Sequence, residues 1–215
     1  MNTRLLKAQL FIFLTILGAS FTTARAAEGK SSQIKLLGLY NMAMVKNDPA
    51  DSSLVYTNQG GIGGGASLEL GLGQRFTFEI GAFYTPYLFK VVVANLESDI
   101  TSRWNMIHIP ALFRLNIGSV VSLGVGGYYG LGIGKAHTEG TLVGVAFTDD
   151  SDLSDNQKSD YGALGSLEIK FRLGSHINLV FEGRYLMGMK NVSSSTTSTQ
   201  KISHVQGLAG LGITL

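Results

Sequence analysis

The sequence predicts an all-β chain: an eight-stranded antiparallel transmembrane up-and-down β-barrel with short periplasmic turns and long external loops. Three observations predict it. Apolar and polar residues alternate with period two in one segment after another; tight and long connections alternate between those segments; and Gly is abundant (28 of 215 residues) while Pro is rare at 3. Period two gathers side chains of one kind on one face of a strand, whereas a helix would scatter them around its circumference.

The predicted strands are 33–45, 60–71, 76–91, 103–117, 120–134, 161–173, 177–189 and 203–215. The first sets Lys35 on an inner face, and the second sets Gly61, Gly63, Gly65 and Glu69 there. By parity the third turns Glu79, Phe83, Tyr87 and Phe89 inward, and the fourth Trp104, Met106 and Arg114. The fifth contributes Gly124, Gly126, Tyr128 and Gly130 to the same side. In the sixth, Ala163, Leu167, Ile169, Phe171 and Leu173 oppose Ser166, Glu168, Lys170 and Arg172. The seventh opposes Ile177, Leu179, Phe181, Tyr185, Met187 and Met189 to Asn178, Glu182, Arg184 and Gly188. In the last, Val205, Ala209, Leu211, Ile213 and Leu215 share one face, and Gln206, Gly210, Gly212 and Thr214 the other.

The connections 72–74, 118–119 and 174–176 are tight. Those at 46–59, 92–102, 135–160 and 190–202 are long and polar, with Asp149, Asp150, Asp152, Asp155 and a Ser/Thr run at 193–199. Short periplasmic turns alternating with longer external loops are the rhythm of an outer-membrane barrel, with both termini on the periplasmic side. A soluble barrel also alternates, but it would have to place Glu168, Lys170, Arg172, Glu182 and Arg184 outside.

Residues 1–26 read as a cleaved secretory signal: Arg4 and Lys7 begin it, an apolar run follows, and Ala24-Arg25-Ala26 offers the cleavage site. The barrel domain is then 27–215. Three of the 17 Lys+Arg leave with the leader, so 14 bases face 15 acids and the net charge becomes −1. The basic balance of the whole chain thus belongs to the leader, and nucleic acid is not an expected partner. The absence of Cys excludes disulfides, thiol catalysis and thiolate metal sites.

The stretch Ile107-His108-Ile109-Pro110-Ala111-Leu112-Phe113-Arg114-Leu115 resembles one in the PorT-like outer-membrane β-barrel family, where an apolar strand with Pro ends in a basic and aromatic tail. At the level of architecture the mature chain is also similar to OmpA-type and OmpW-like small barrels. The alternating last strand resembles the C-terminal signal by which such barrels are recognised for insertion, with Leu215 in place of the usual aromatic. These resemblances imply the outer membrane of a Gram-negative-type bacterium, its lipid and the barrel-assembly machinery as partners, a monomer, and no shared catalytic residues.

With the apolar face on lipid, the lumen near the turns receives Lys35, Glu69, Glu79, Arg114, Glu168, Lys170, Arg172, Glu182 and Arg184, a charge network that fills a narrow barrel if it is paired. Above it Phe83, Tyr87, Phe89, Trp104, Met106 and Tyr128 are expected to form an aromatic cup, open outward and suited to a small apolar ligand. Pro110 cannot donate to a ladder, so it marks either a bulge or a break that admits lateral passage.

Catalytic, cofactor and metal sites are not expected. Gly61-Ile62-Gly63-Gly64-Gly65-Ala66 matches a dinucleotide fingerprint by letters only, with no helix after it. Asp150, Asp152, Ser154 and Asn156 hint at calcium spacing, but Tyr161 stands where the bidentate Glu is required. His108, His137, His176 and His204 are scattered, and the adjacent Ser203 and His204 lie on opposite strand faces. The expected function is a structural or surface-interaction barrel. A narrow pore or uptake barrel is the alternative, and a lipid-modifying or proteolytic enzyme at the rim comes third.

Overall fold

The computed structural model describes residues 32–48, 54–93, 98–142, 145–191 and 199–215. The expected leader, and the Ser/Thr run except Thr199, lie outside them. Ten strands follow in order: β1 Gln33–Asp48, β2 Leu54–Asn58, β3 Gly60–Gly71, β4 Phe76–Val93, β5 Ser98–Ile117, β6 Val121–Leu142, β7 Val145–Asp152, β8 Ser159–Arg172, β9 Ile177–Gly188 and β10 Thr199–Thr214. Eight of them form the ring, in the order β1, β3, β4, β5, β6, β8, β9, β10 and back to β1, each antiparallel to the next. Closure leaves no sheet edge to satisfy.

The two further strands lie beyond the ring, at the end opposite the tight turns. β2 carries the line of β3 onward along β4, and β7 pairs with β6. The long polar connection expected at 135–160 is therefore corrected: β6 runs on to Leu142 and returns as β7, a hairpin rather than an irregular loop. β7 is exposed along nearly its whole length, so no apolar period marks it in the sequence.

The outer wall is apolar. Leu36, Phe113, Leu211 and Ile213 are exposed, Val125 is 68% exposed and Ile62 82%. Toward the turn end it carries Phe76, Phe113 and Phe171, and toward the loop end Tyr40, Tyr84, Tyr129, Tyr161 and Tyr185, all exposed. Tyr129 and Tyr161 are direct cross-strand partners. Two aromatic belts bounding an aliphatic band is how a barrel wall meets the two interfaces of a bilayer.

Inside, glycines let strands and long side chains approach. A Cβ on Gly126 would lie 1.9 Å from the Ala111 carbonyl oxygen. One on Gly132 would lie 2.4 Å from the Gln157 carbonyl oxygen and 2.9 Å from Leu153 Cδ1. Gly132 thus gives the turn after β7 room to fold over the mouth, where Leu153 is buried.

Candidate functional site

The lumen is built in layers, starting at the turn end. Lys35 on β1 sends Nζ to three carboxylates: Glu69, Glu79 at 2.7 Å and Glu168 at 2.5 Å. Arg114 on β5 places Nε 2.9 Å from Glu79 and also pairs with Glu182. Arg184 donates Nη2 to Glu79 at 2.7 Å and Nε to Glu182 at 2.8 Å. Lys170 closes the circuit, 2.8 Å from Glu69 and 3.0 Å from Glu168. Six ring strands supply the layer, which is neutral with four cations and four anions. Pairing of this kind offsets the desolvation that an isolated charge would suffer there.

Arg172 departs from the expected network. It is exposed and stands opposite Asn178 at the turn end, in the last residue of β8. Its parity is inward, but at the rim water competes for the guanidinium. The carboxylates of Glu69, Glu79 and Glu168 converge closely enough to suggest a cation site. The Lys35 ammonium already stands among them.

The Phe83 ring roofs the charges, with Arg184 Cζ 4.7 Å from its centroid. Leu37, Leu39, Val180 and Leu208 pack around Phe83, apolar residues on a face where alternation leads one to expect polar ones. Above them comes a polar layer that sequence reasoning missed. Tyr87 donates to Asp160 Oδ2 at 2.7 Å, as does Tyr128 at 3.0 Å, and His108 Nε2 lies 2.8 Å from the Tyr87 oxygen. With the Tyr87 hydroxyl proton donated to Asp160, His108 Nε2–H is the donor to the Tyr87 oxygen. The His204 ring lies 5.6 Å from that of His108, and its two nitrogens are buried without a hydrogen-bond partner among the described residues. The cue was available: His108 shares the inward parity of Trp104 and Met106, and His204 that of Gln206. The scattering of the histidines along the chain ends once the ring closes.

The expected aromatic cup is filled. Phe83, Tyr87, Trp104, Met106 and Tyr128 are buried inside the barrel and Phe89 is partly buried. Tyr87, Trp104 and Met106 pack with Ala43, Ala136, Leu153 and Ile202 into a plug. The incoming turn supplies Leu153, the stopper that strand parity could not anticipate. What is left is a recess of about 330 Å³ at the mouth, between Phe89, Trp104, Ile202 and the turn residues Ser154 and Gln157.

Pro110 faces the lumen within β5. Its pairing to β6 is continuous through Tyr128, while toward β4 the ladder skips from Ile80–Ala111 to Phe83–His108 in one unchanged register. The break is local and one-sided, because only one edge of the strand needs the missing N–H. Of the calcium-like set, Asp150 accepts from His137 at 2.7 Å, Ser154 bonds Gln157 at 3.0 Å, and the Asn156 carbonyl oxygen accepts from Lys190 at 3.2 Å.

No protein-family model matches the chain, and no curated protein matches it. Among solved structures it is similar to the outer membrane protein OprG from Pseudomonas aeruginosa, with 14% identity over 86% of this chain and 96% of that one, at a TM-score of 0.53. Neisserial surface protein A is 12% identical over 86% and 99% of the two chains, with a TM-score of 0.42. Ail of Yersinia pestis is 12% identical over 86% and 99%, with a TM-score of 0.43. What OprG and this chain share is the fold, an antiparallel outer-membrane-type barrel.

Proposed function

We propose that the chain is a small integral outer-membrane barrel with a structural or surface-interaction role, a closed lumen and no catalysis. The observation that carries this reading is the neutral eight-charge layer, contributed by six strands and roofed by Phe83. Such a layer fills a narrow barrel instead of lining a channel. The two aromatic belts support a bilayer setting. On this reading the tight turns face the periplasm, and β2, the β6–β7 hairpin and the turn at 153–158 face outward. The PorT-like stretch 107–115 supports membership of that barrel family as part of the same proposal.

Contact with a partner then falls to the outward hairpin and loops, because every layer beneath them is packed. The Tyr87–His108–Asp160 contact is buried, which keeps its phenol, imidazole and carboxylate away from a substrate. Planar-bilayer recording tests the closed lumen: the wild type is expected to be silent, and Arg184→Ala or Glu182→Ala to admit brief small-conductance openings. Discrete steady steps from the wild type would sink the reading. Mass analysis of the host's outer-membrane lipid after expression tests the absence of catalysis, and an unchanged spectrum is the expected outcome.

A further inference from the structure

On the outer wall, just beyond the Tyr belt, β4, β5 and β6 enclose a groove of about 600 Å³. Arg103, Lys135 and His137 line it together with the Asp150 carboxylate, Tyr84 and Ile62, so cations outnumber the single acid. Two irregularities bring the cations together. The β5–β6 register shifts between Arg103 and Asn105, and Gly134, with φ of +75°, precedes Lys135. Gly is the residue that takes such a φ without strain.

The cations here differ from Lys90, Lys158 and Lys190, whereas the exposed Lys46 and Lys201 at the same end likewise form no ion pair within 4.0 Å among the described residues. Lys90 pairs with Asp99, Lys158 with Asp155, and Lys190 donates to the Asn156 and Ser159 carbonyl oxygens. Among the described residues, Arg103 and Lys135 form no ion pair within 4.0 Å, and both are exposed. The nearby carboxylates are engaged with His137: Asp150 at Nδ1, 2.7 Å away, and Glu139 3.6 Å from Nε2. Ile62 is also part of an apolar trough of about 640 Å³ that crosses the wall from β3 over β1, β10 and β9 to β8, past its register partners Tyr40, Gly207, Gly183 and Leu167. The small residues recess its floor between Leu167 and Phe181.

We infer that this groove binds the phosphate of an anionic membrane lipid, with Arg103 and Lys135 on the headgroup and an acyl chain running over Ile62 into the trough. The inference rests on the membrane-barrel reading above. Charge complementarity selects the phosphate, because guanidinium and ammonium donors match its oxygens. Continuity of the two cavities through Ile62 selects a lipid over a soluble anion.

The full chain is placed in phosphatidylcholine nanodiscs with and without phosphatidic acid of the same acyl chains, and retained lipid is counted by native mass spectrometry. Phosphatidic acid is expected to be enriched on the wild type and on the control Lys158→Gln. Arg103→Gln/Lys135→Gln should lower the enrichment roughly thirtyfold, as the loss of two interfacial cations at about 1 kcal/mol each implies. Equal enrichment on the folded double variant overturns the site. Displacement of the lipid by inorganic phosphate overturns the lipid assignment in favour of a soluble anion. A chain that folds but does not enter the bilayer overturns the membrane reading itself, and a heat-modifiable gel shift together with β-type circular dichroism separates that failure from the other two.

Discussion

The two ends of the lumen are closed by different physics. At the turn end, Lys35, Lys170, Arg114 and Arg184 interlock with Glu69, Glu79, Glu168 and Glu182, and each ion shares partners with others. At the loop end, Tyr87, Trp104, Met106 and Leu153 close the bore by packing, while polar atoms such as His204 Nδ1 and Trp104 Nε1 go without partners among the described residues. A layer of shared charges has no dispensable member, because removing one leaves others buried and uncompensated. A packed layer loses only what each side chain contributes, with a cavity left behind. The floor therefore tolerates the loss of no single member, whereas the stopper only shuts the bore.

The sharpest way to break this contrast is Lys35→Met. Three carboxylates would then converge with their common cation gone, and a loss of about 3–5 kcal/mol is expected. The urea midpoint of the bilayer-inserted barrel, followed by fluorescence of the single Trp, measures it. A loss below about 1 kcal/mol would mean that water hydrates the floor and that the two ends do not differ in kind. Met106→Ala probes the stopper by the same readout, with an expected loss of about 2–4 kcal/mol and the lumen still silent in bilayer recordings, since the charged floor remains.

His204→Leu sharpens the comparison from the other side. Replacing a buried group that lacks hydrogen-bond partners among the described residues with an apolar one is expected to shift stability by no more than about 1 kcal/mol, in either direction. A larger loss would uncover a partner for the imidazole and make the upper layer as interlocked as the lower. The smallest effect lies outside the bore, in the β6–β7 hairpin. The hydrogen bond from His137 holds the Asp150 carboxyl below its ordinary value, with Lys135 and Arg103 adding to the effect. A carboxyl depressed in the folded state stabilises above the ordinary aspartate range and loses that contribution as pH falls through its own lower value. The Asp150 side-chain NMR resonance should therefore titrate below free aspartate, and in His137→Ala it should return toward the ordinary range.

Much of this was legible in the residues, for reasons that differ by element. β9 and β10 were plain because apolar and polar residues alternate through most of each, with Val180, Leu186 and Leu208 the inward apolar exceptions, so a strand is the period that fits them. The inward set Lys35, Glu69, Glu79, Arg114, Glu168, Lys170, Glu182 and Arg184 followed from the same parity, since one residue of slip would expose all of it to lipid. β7 was illegible because a strand exposed along nearly its whole length has no apolar period to mark it. Arg172 was misplaced because parity tells the side of a wall and not how far along the bore that wall stays closed.

By itself the sequence determined the class of fold, the number of ring strands and which side of the wall each ring residue faces, because those depend on local period and on loop length. Tertiary structure alone decided who meets whom across the bore. It set Lys35 against carboxylates from β3, β4 and β8, brought His108 beside His204, and carried Leu153 into the mouth to fill the expected cup. The physical reason is ring closure: contacts between strands that are not neighbours in the chain are fixed by stagger and curvature, quantities that no local pattern of residues encodes.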